Sequence, residues 1–259
     1  MKNENLLIFL SVVISSSLMA QVTTVYNPIT GENWMDRNLG ATQVATSFDD
    51  ANAYGDLYQW GRETDGHQVR TSTTTSVLSN TNSPGNSHFI LGNSDWLTLS
   101  DDNLWQGGNG INNPCPQGFR LPTESECESE RLSWTTNDAA GAFASPLKLT
   151  IGGARSRMSG AIGNVGTFVG YRTSTINGTQ SRLFGISLTT SLMADRDRAD
   201  GNCVRCIQDE SSTSTLEISN QKKVFKIIDI LGIETNPKVN TLLFYIYEDG
   251  KVEKRIVIE

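Results

Sequence analysis

The segment 115–124, CPQGFRLPTE, constrains the fold of this chain more than any other stretch. Its two prolines fix their own φ angles and push the residues before them into extended conformations. Phe119 and Leu121 alternate with a polar residue, which is typical of a short half-buried strand. Thr123 is a favourable N-cap, and Glu126 three residues later completes a capping box. The segment therefore predicts a cysteine anchor, a short strand, a turn and the start of a helix.

The N-terminus has the pattern of a secretory signal peptide. Lys2 provides a positive charge, residues 6–14 are apolar, and 15–20 end in small residues. This pattern predicts cleavage after Ala20 and export of the mature protein. The apolar run is too short for a membrane span and no later run is longer, so we expect no membrane span in the mature protein.

Four cysteines remain after the predicted cleavage, which favours two disulfides in an exported protein. Cys203 and Cys206 are three positions apart and would face opposite sides of an extended strand, so we expect them to take different partners. Of the three possible connectivities we prefer Cys115–Cys206 with Cys127–Cys203. A redox C-x-x-C interpretation of 203–206 lacks the βαβ context of that motif.

Patterning divides the mature chain into two modules. Residues 21–209 contain a hairpin at 21–40, a helix at 123–134 and several short strands, which are predicted at 147–153, 170–174, 182–188 and 203–207. A polar linker at 210–222 follows. Beyond it lysine becomes frequent, and three strands are predicted at 223–231, 241–247 and 252–258. The sequence therefore predicts an α+β, disulfide-bonded domain followed by a small all-β module at 223–259.

Several segments of the first module together resemble one family. They are 31–39 (GENWMDRNL), 54–60 (YGDLYQW), 115–123 (CPQGFRLPT), the run 153–175, and 204–207 (VRCI). In this order they resemble the Fibrobacter succinogenes major paralogous domain, a branch of the C-type-lectin-like superfold. The resemblance covers about 21–209 and implies a C-type-lectin-like fold in which Cys115 bridges to Cys206. The sequence departs from the family pattern at 171–174 (YRTS).

The last segment is similar to a second family. Residues 226–232 (KIIDILG), 244–247 (FYIY) and the basic, β-rich end resemble a C-terminal sorting domain of the type IX secretion system of Bacteroidetes. This resemblance implies contact with the type IX secretion machinery, passage across the outer membrane, and release or attachment at the cell surface. An ordinary small β domain is the alternative interpretation of 223–259.

Charge and motifs exclude several classes of function. The chain carries a net charge of −7, and 216–259 contains seven basic and seven acidic residues, so the excess negative charge lies upstream. Binding to nucleic acid requires a basic face, so we expect no nucleic-acid partner. Neither His67 nor His88 has a catalytic partner in its sequence neighbourhood, and we expect both to be solvent-facing. No common hydrolase, zinc-protease or phosphate-loop motif is present, and no cofactor is expected.

Calcium is the one metal that the sequence leaves open. Asp195, Asp197 and Asp200 are weak candidate ligands, but they alternate with arginines and lack the loop pattern of an EF-hand. The interspersed arginines favour the alternative that the carboxylates are neutralised by ion pairs.

Aromatic residues provide the remaining candidates for a binding site. Trp34, Tyr58 and Trp60 lie in apolar contexts and are predicted to be core. Trp96 and Trp105 lie among Asn, Asp and Gly in loops, where an exposed tryptophan can stack on a sugar or anchor a protein partner. Burial beneath a long loop is the alternative. Secondary candidates are Asn112, Asn164, Tyr171 and Arg172.

These observations favour a secreted or cell-surface binding module that has no catalytic activity and recognises a glycan or a surface protein through its loops. A structural or adhesive envelope protein without a specific small ligand is the alternative. An enzyme of the formylglycine-generating type, a branch of the lectin-like superfold that uses a cysteine pair, is a weaker one.

Overall fold

The computed structural model describes residues 22–92, 94–210, 224–236, 240–247 and 252–256. The predicted signal peptide at 1–20, and all but the first residue of the predicted linker at 210–222, lie outside the described residues. The described part consists of many small sheets with few helices, in agreement with the α+β class.

Fourteen strands and two α-helices make up the described regular structure, with a 3-10 turn at Ala51–Ala53. The strands are β1 (Thr24–Asn27), β2 (Glu32–Met35), β3 (Thr74–Thr75), β4 (Phe89–Ile90), β5 (Phe119–Arg120), β6 (Ala154–Arg155), β7 (Ile162–Gly163), β8 (Phe168–Asn177), β9 (Gln180–Ser187), β10 (Ser191–Arg196), β11 (Ile207–Gln208), β12 (Val224–Ile228), β13 (Leu242–Tyr247) and β14 (Val252–Ile256). The helices are α1 (Glu124–Leu132) and α2 (Ala139–Ala144).

The first sheet joins the two ends of the N-terminal module, in the order β1-β2-β11-β5. The predicted hairpin is confirmed: β1 pairs with β2 in antiparallel register, and Gly31 at their turn has a φ of +79°. Ile207 of β11 lies opposite both Trp34 of β2 and Arg120 of β5. The sheet therefore places the segment 115–124 beside the end of the module.

The second sheet has the order β10-β9-β8. Helix α1 packs on it, and its predicted capping box is present: Thr123 Oγ1 accepts a hydrogen bond from the Glu126 amide at 3.3 Å, and Glu126 accepts one from the Thr123 amide at 2.7 Å. Beyond the helix, the Trp134 ring lies 5.4 Å from that of Phe184 on β9. Strand β10 and helix α2 were not predicted, although Asp138 caps α2 by accepting from Gly141.

The buried apolar residues of the N-terminal module form two clusters. One lies between α1 and the second sheet and includes Trp34. The other contains Tyr58 and Trp60 together with the Cys115–Cys206 disulfide, which closes a sequence separation of 91 residues. The prediction of this disulfide is confirmed, as is the core position of Trp34, Tyr58 and Trp60.

The predicted strand at 147–153 is wrong, although its burial pattern is informative. Leu147, Leu149 and Ile151 are buried, and so are Thr150 and Gly152, yet the backbone of this stretch is irregular. Its amides bond to scattered partners, as when Ile151 donates to the Phe48 carbonyl at 2.9 Å. The apolar residues of this stretch mark its burial, but a strand also requires a continuous hydrogen-bonded neighbouring strand.

The predicted Cys127–Cys203 disulfide is also wrong, because both cysteines are free thiols. The rule of opposite faces holds only on a strand, and the stretch 203–206 is irregular and buried at every position. Cys203 donates from Sγ to the Tyr54 carbonyl at 3.4 Å. Cys127 instead lines a small cavity with Leu147 and Phe184. Both thiols lie in the same buried cluster, but they are not bonded to each other.

The described parts of 223–259 form a separate three-stranded antiparallel sheet, β12-β13-β14. Each of the three strands predicted there is present, and alternate residues of β13 (Leu243, Tyr245 and Tyr247) are buried. No helix within the described ranges combines the length and apolarity that a membrane crossing requires.

Candidate functional site

Trp96 and Trp105 do not form an exposed binding face. Both side chains have a relative exposure of 0% and belong to the cluster around Trp60, so the expected solvent exposure is wrong. Each indole N–H donates to a backbone carbonyl, Trp96 to Trp60 at 2.7 Å and Trp105 to Asn112 at 2.8 Å. A large aromatic group with its polar atom satisfied is a core residue. The alternative, burial beneath the long loop, is the correct one.

The surrounding polar sequence gave a misleading signal for these tryptophans. Arg62 is completely buried beside them, with its guanidinium 5.4 Å from the Trp96 ring centroid and hydrogen-bonded to Asp65. The irregular segments that carry Trp96 and Trp105 thus bury these rings in the core, where the neighbouring polar side chain of Arg62 is paired within the protein. The positive φ of Trp105, 62°, shows how irregular this backbone is.

Three of the secondary candidates have structural roles. Asn112 donates from Nδ2 to the carbonyls of Gly61 and Asn82. Tyr171 is buried and donates to the Thr150 carbonyl at 2.9 Å. Arg172 is completely buried, and burial lowers its pKa to about 9. Tyr171 and Arg172 are therefore inaccessible to a ligand, while the half-buried Asn112 uses its amide to hold the loop.

Arg172 instead holds the acidic segment in place. Its guanidinium donates to the carbonyl oxygens of Asp197, Arg198 and Asp200. These bonds fix the backbone of 197–200 against β8. The buried arginine therefore positions the side chains of residues 197–200.

The three candidate calcium ligands pair with arginine residues, and two of them, Asp197 and Asp200, share Arg157. Asp195 pairs with Arg182 at 2.7 Å, and Asp197 pairs with Arg157 at 2.9 Å. Asp200 accepts from the backbone amide of Arg157 at 3.0 Å. Within the described ranges, no group of three or more His, Cys, Asp or Glu side chains is arranged to hold a metal ion. Arginines pair with these carboxylates, as the alternative interpretation held.

A polar cavity of about 380 Å³ lies between the β6–β7 hairpin and the segment 196–202, and we call it the polar cleft. Its lining is rich in arginine and amide side chains. The lining residues used below are Arg155, Arg157, Ala161, Asn164, Phe168, Arg196, Asp200 and Asn202. Asn164 and Asp200 were sequence candidates, whereas Arg157, Arg196 and Asn202 were not proposed as binding residues.

The wall of the cleft is a hairpin anchored by a buried arginine. Arg155 of β6 donates to the Gly160 carbonyl at 2.8 Å and to the Ser72 hydroxyl at 2.6 Å. Its guanidinium also lies 4.2 Å from the centroid of the Phe89 ring. These contacts hold the hairpin connection rigidly against the module.

Asn202 occupies the floor of the cleft. Its backbone exchanges hydrogen bonds with Tyr58, at 2.8 and 3.0 Å. The side chain has 1% exposure, yet neither Oδ1 nor Nδ2 has a hydrogen-bond partner among the described residues. Leaving a buried amide without partners costs about 1–3 kcal/mol per group, so this amide requires an explanation, and a role in binding is one.

Arg196 supplies an accessible cation. Its side chain is 40% exposed, and its nearest carboxylate oxygen, on Asp200, lies 3.9 Å from Nη1, beyond hydrogen-bonding distance. Its Nε is buried and has no partner among the described residues. The cleft therefore combines a cation, a buried amide and the ring of Phe168 at its edge, a set that suits a polar ligand.

One of the two histidines is buried outside the lining of the cleft. His67 has 0% exposure, contrary to the expectation, while His88 is exposed as predicted. Nε2 of His67 accepts from the Gln59 amide at 3.1 Å, so Nδ1 carries the proton and donates to Asp65 at 2.6 Å. Burial lowers the pKa of His67 to about 4, although the hydrogen bond to Asp65 opposes this shift.

The two free thiols are not activated. Burial raises the pKa of Cys203 to about 11 and raises that of Cys127 well above its usual value. Cysteine chemistry requires the thiolate, which both positions disfavour. The geometry gives no support to a cysteine-dependent reaction at either residue.

No protein-family model matches this chain, and searches of curated proteins and of solved structures return no match. The interpretation of function therefore rests on the sequence motifs and on the geometry of the cleft.

Proposed function

We propose that the protein is an exported binding module, without catalytic activity, that recognises a glycan or a surface protein through the polar cleft. The observation that carries this proposal is the buried, unpaired amide of Asn202 beside the accessible guanidinium of Arg196. A ligand would supply the hydrogen bonds that the chain itself does not provide to this amide.

The family assignment is part of the proposal. Residues 21–209 constitute a Fibrobacter succinogenes major paralogous domain of the C-type-lectin-like superfold, and 223–259 a type IX sorting domain. Support comes from the ordered motifs and from the disulfide that joins Cys115 to Cys206, the pairing that the resemblance implied. The proposed location is outside the cell or on the outer cell surface.

A structural or adhesive envelope protein is the second candidate function. The burial of Trp96 and Trp105 favours it, because the two tryptophans expected to contact a ligand from the loops are inaccessible. Such a protein would have no specific small ligand, and substitutions in the cleft would leave its properties unchanged.

Screening on a glycan array and by pull-down from cell-surface extracts tests the binding proposal. The Ala161→Trp variant fills the cleft from an exposed position on its wall. We expect specific binding by the native protein and its loss in this variant. Failure of the native protein to bind any glycan or surface protein supports the structural alternative.

Fractionation of the natural host tests export separately. The full chain should be found in the medium or on the cell surface, and a chain lacking 223–259 should accumulate in the periplasm. Equal distribution of the two chains would refute the sorting function.

A further inference from the structure

We infer that the polar cleft selects a sugar that carries a carboxylate, such as a uronic acid. This inference rests on the proposed binding function and specifies its ligand class. Four features of the cleft carry it: the charge balance, the arrangement of amides, the apolar ring in its lining and its size.

The charge balance favours an anion. Although the chain as a whole has a net charge of −7, three arginines line the cleft against one aspartate, Asp200. Arg155 is committed to the hairpin, and Arg157 pairs with Asp197 at 2.9 Å. Arg196 is the accessible cation, and a planar guanidinium matches a carboxylate in a two-pronged hydrogen bond.

The amides suit the hydroxyl groups of the same ligand. The buried amide of Asn202 in the cleft lining has one acceptor and two donor hydrogens that no described residue uses, and these complement hydroxyls because each hydroxyl both donates and accepts. Asn164, at the opposite wall, is exposed and has a left-handed backbone with a φ of 61°. Polar groups therefore lie on two sides of the cavity.

Phe168 supplies an apolar surface for the ring of a sugar. It is half-buried and packs over Gly185 of β9, where an added Cβ would lie 3.3 Å from its ring. Because Gly185 has no side chain, the phenyl ring can pack close to the sheet, and it also lines the cleft. An aromatic edge beside polar groups is typical of a site for a polar ring.

The size of the cleft favours a sugar over a peptide. A volume of about 380 Å³ is near the lower end of the range for small-ligand sites, about 300–1,000 Å³. A peptide would also need partners for its backbone groups, whereas the cleft presents side-chain amides and a guanidinium. An acidic peptide is therefore the competing outcome of the test.

Calorimetric titration of the full chain with a panel of uronate disaccharides and their methyl esters tests the inference. Esterification removes the charge and keeps the ring hydroxyls. We expect at least one uronate to bind about tenfold or more tightly than its ester, because a charge-assisted hydrogen bond contributes about 1.5–3 kcal/mol. The preference should weaken as salt is added.

Arg196→Gln is the decisive variant. It should bind acid and ester with equal affinity, at the level of the ester with the native protein. Arg131→Gln is the matched control: it removes the same charge from helix α1, outside the cleft, and should retain the native preference. Thermal unfolding of each variant verifies that it is folded.

Equal binding of acids and esters by the native protein, or an unchanged preference in Arg196→Gln, would overturn the inference. Tighter binding of a glutamate-containing tripeptide than of any uronate would also overturn it. If neutral glycans bind and Ala161→Trp abolishes that binding, the proposed function stands while the acidic specificity fails. Absence of binding to any glycan or surface protein refutes both.

Discussion

Arg172 donates a hydrogen bond from its buried guanidinium to the carbonyl oxygen of Asp200. The same guanidinium reaches the Asp197 carbonyl at 2.9 Å, so one side chain fixes the segment between Arg196 and Asn202. The cleft thus depends on a residue that never faces solvent. Sequence analysis had placed Arg172 among the ligand-binding candidates, whereas its role is to position the binding residues.

Replacing Arg172 with methionine should destabilise the fold strongly. The change leaves several buried carbonyl oxygens without a donor, and we expect a loss of roughly 3–5 kcal/mol in the free energy of unfolding. Urea unfolding measures this loss. Arg131→Met, which removes an ion pair with Glu128 near the surface of α1, should cost less than about 1 kcal/mol. Similar losses in the two variants would contradict the positioning role.

Removal of the Cys115–Cys206 disulfide should cost about 4–5 kcal/mol, because the bond closes a separation of 91 residues in the unfolded chain. Urea unfolding of a Cys115→Ala/Cys206→Ala variant gives the value. Reductant should lower the midpoint of the native protein and leave that of the double variant unchanged. A reductant effect of equal size on both proteins would show that another disulfide is responsible.

Thiol titration should distinguish the free cysteines from the predicted second disulfide. Cys127 and Cys203 are buried, and burial raises the pKa of each thiol, so neither should react in the folded protein. Denaturation without reductant should release two reactive thiols per chain. A count of zero would instead demonstrate a Cys127–Cys203 bond.

Stability should fall with acidification because of His67. Its pKa is about 4 in the folded protein, below the value of about 6.5 expected when unfolded. As the pH falls, the unfolded chain binds the proton first. Neutral His67 therefore contributes about 3 kcal/mol to the free energy of unfolding above about pH 6.5. This contribution is lost progressively as the pH falls from 6.5 towards 4.

Comparison with variants isolates this effect. His67→Gln should show a shallower decline in the free energy of unfolding between pH 6.5 and pH 4. His88→Gln, at an exposed position, should follow the native curve. Parallel curves for the native protein and His67→Gln would contradict the buried, neutral state of the ring.

The sequence predicted the fold best where an element depends only on residues close to it in the chain. The capping box between Thr123 and Glu126 and the hairpin around Gly31 depend on neighbours in sequence, and both are present. The strand expected at 147–153 depended on a distant partner and is absent. Strand β10 was also missed, since its residues become a strand only beside β9.

The site was harder to predict because burial of polar and aromatic residues depends on long-range packing. Trp96 and Trp105 lie in polar sequence, yet the structure places them around Trp60. No sequence pattern distinguishes Asn202 beside Cys203, although its unpaired amide is the strongest sign of a ligand. Asn164 and the alternating acids and arginines at 195–200 are the sequence signals that do fall at the cleft, but the alternation indicates only a weak calcium site or charge neutralisation.

Binding affinity for the best glycan of the array, measured on two tryptophan variants, tests the central claim most directly. Ala161→Trp fills the cleft, whereas Ile111→Trp adds the same bulk at an exposed position on the loop that carries Trp105. We predict that Ala161→Trp abolishes binding and that Ile111→Trp binds like the native protein. If Ile111→Trp loses binding and Ala161→Trp retains it, the ligand binds at the loop that carries Trp105, and the assignment of the cleft is wrong.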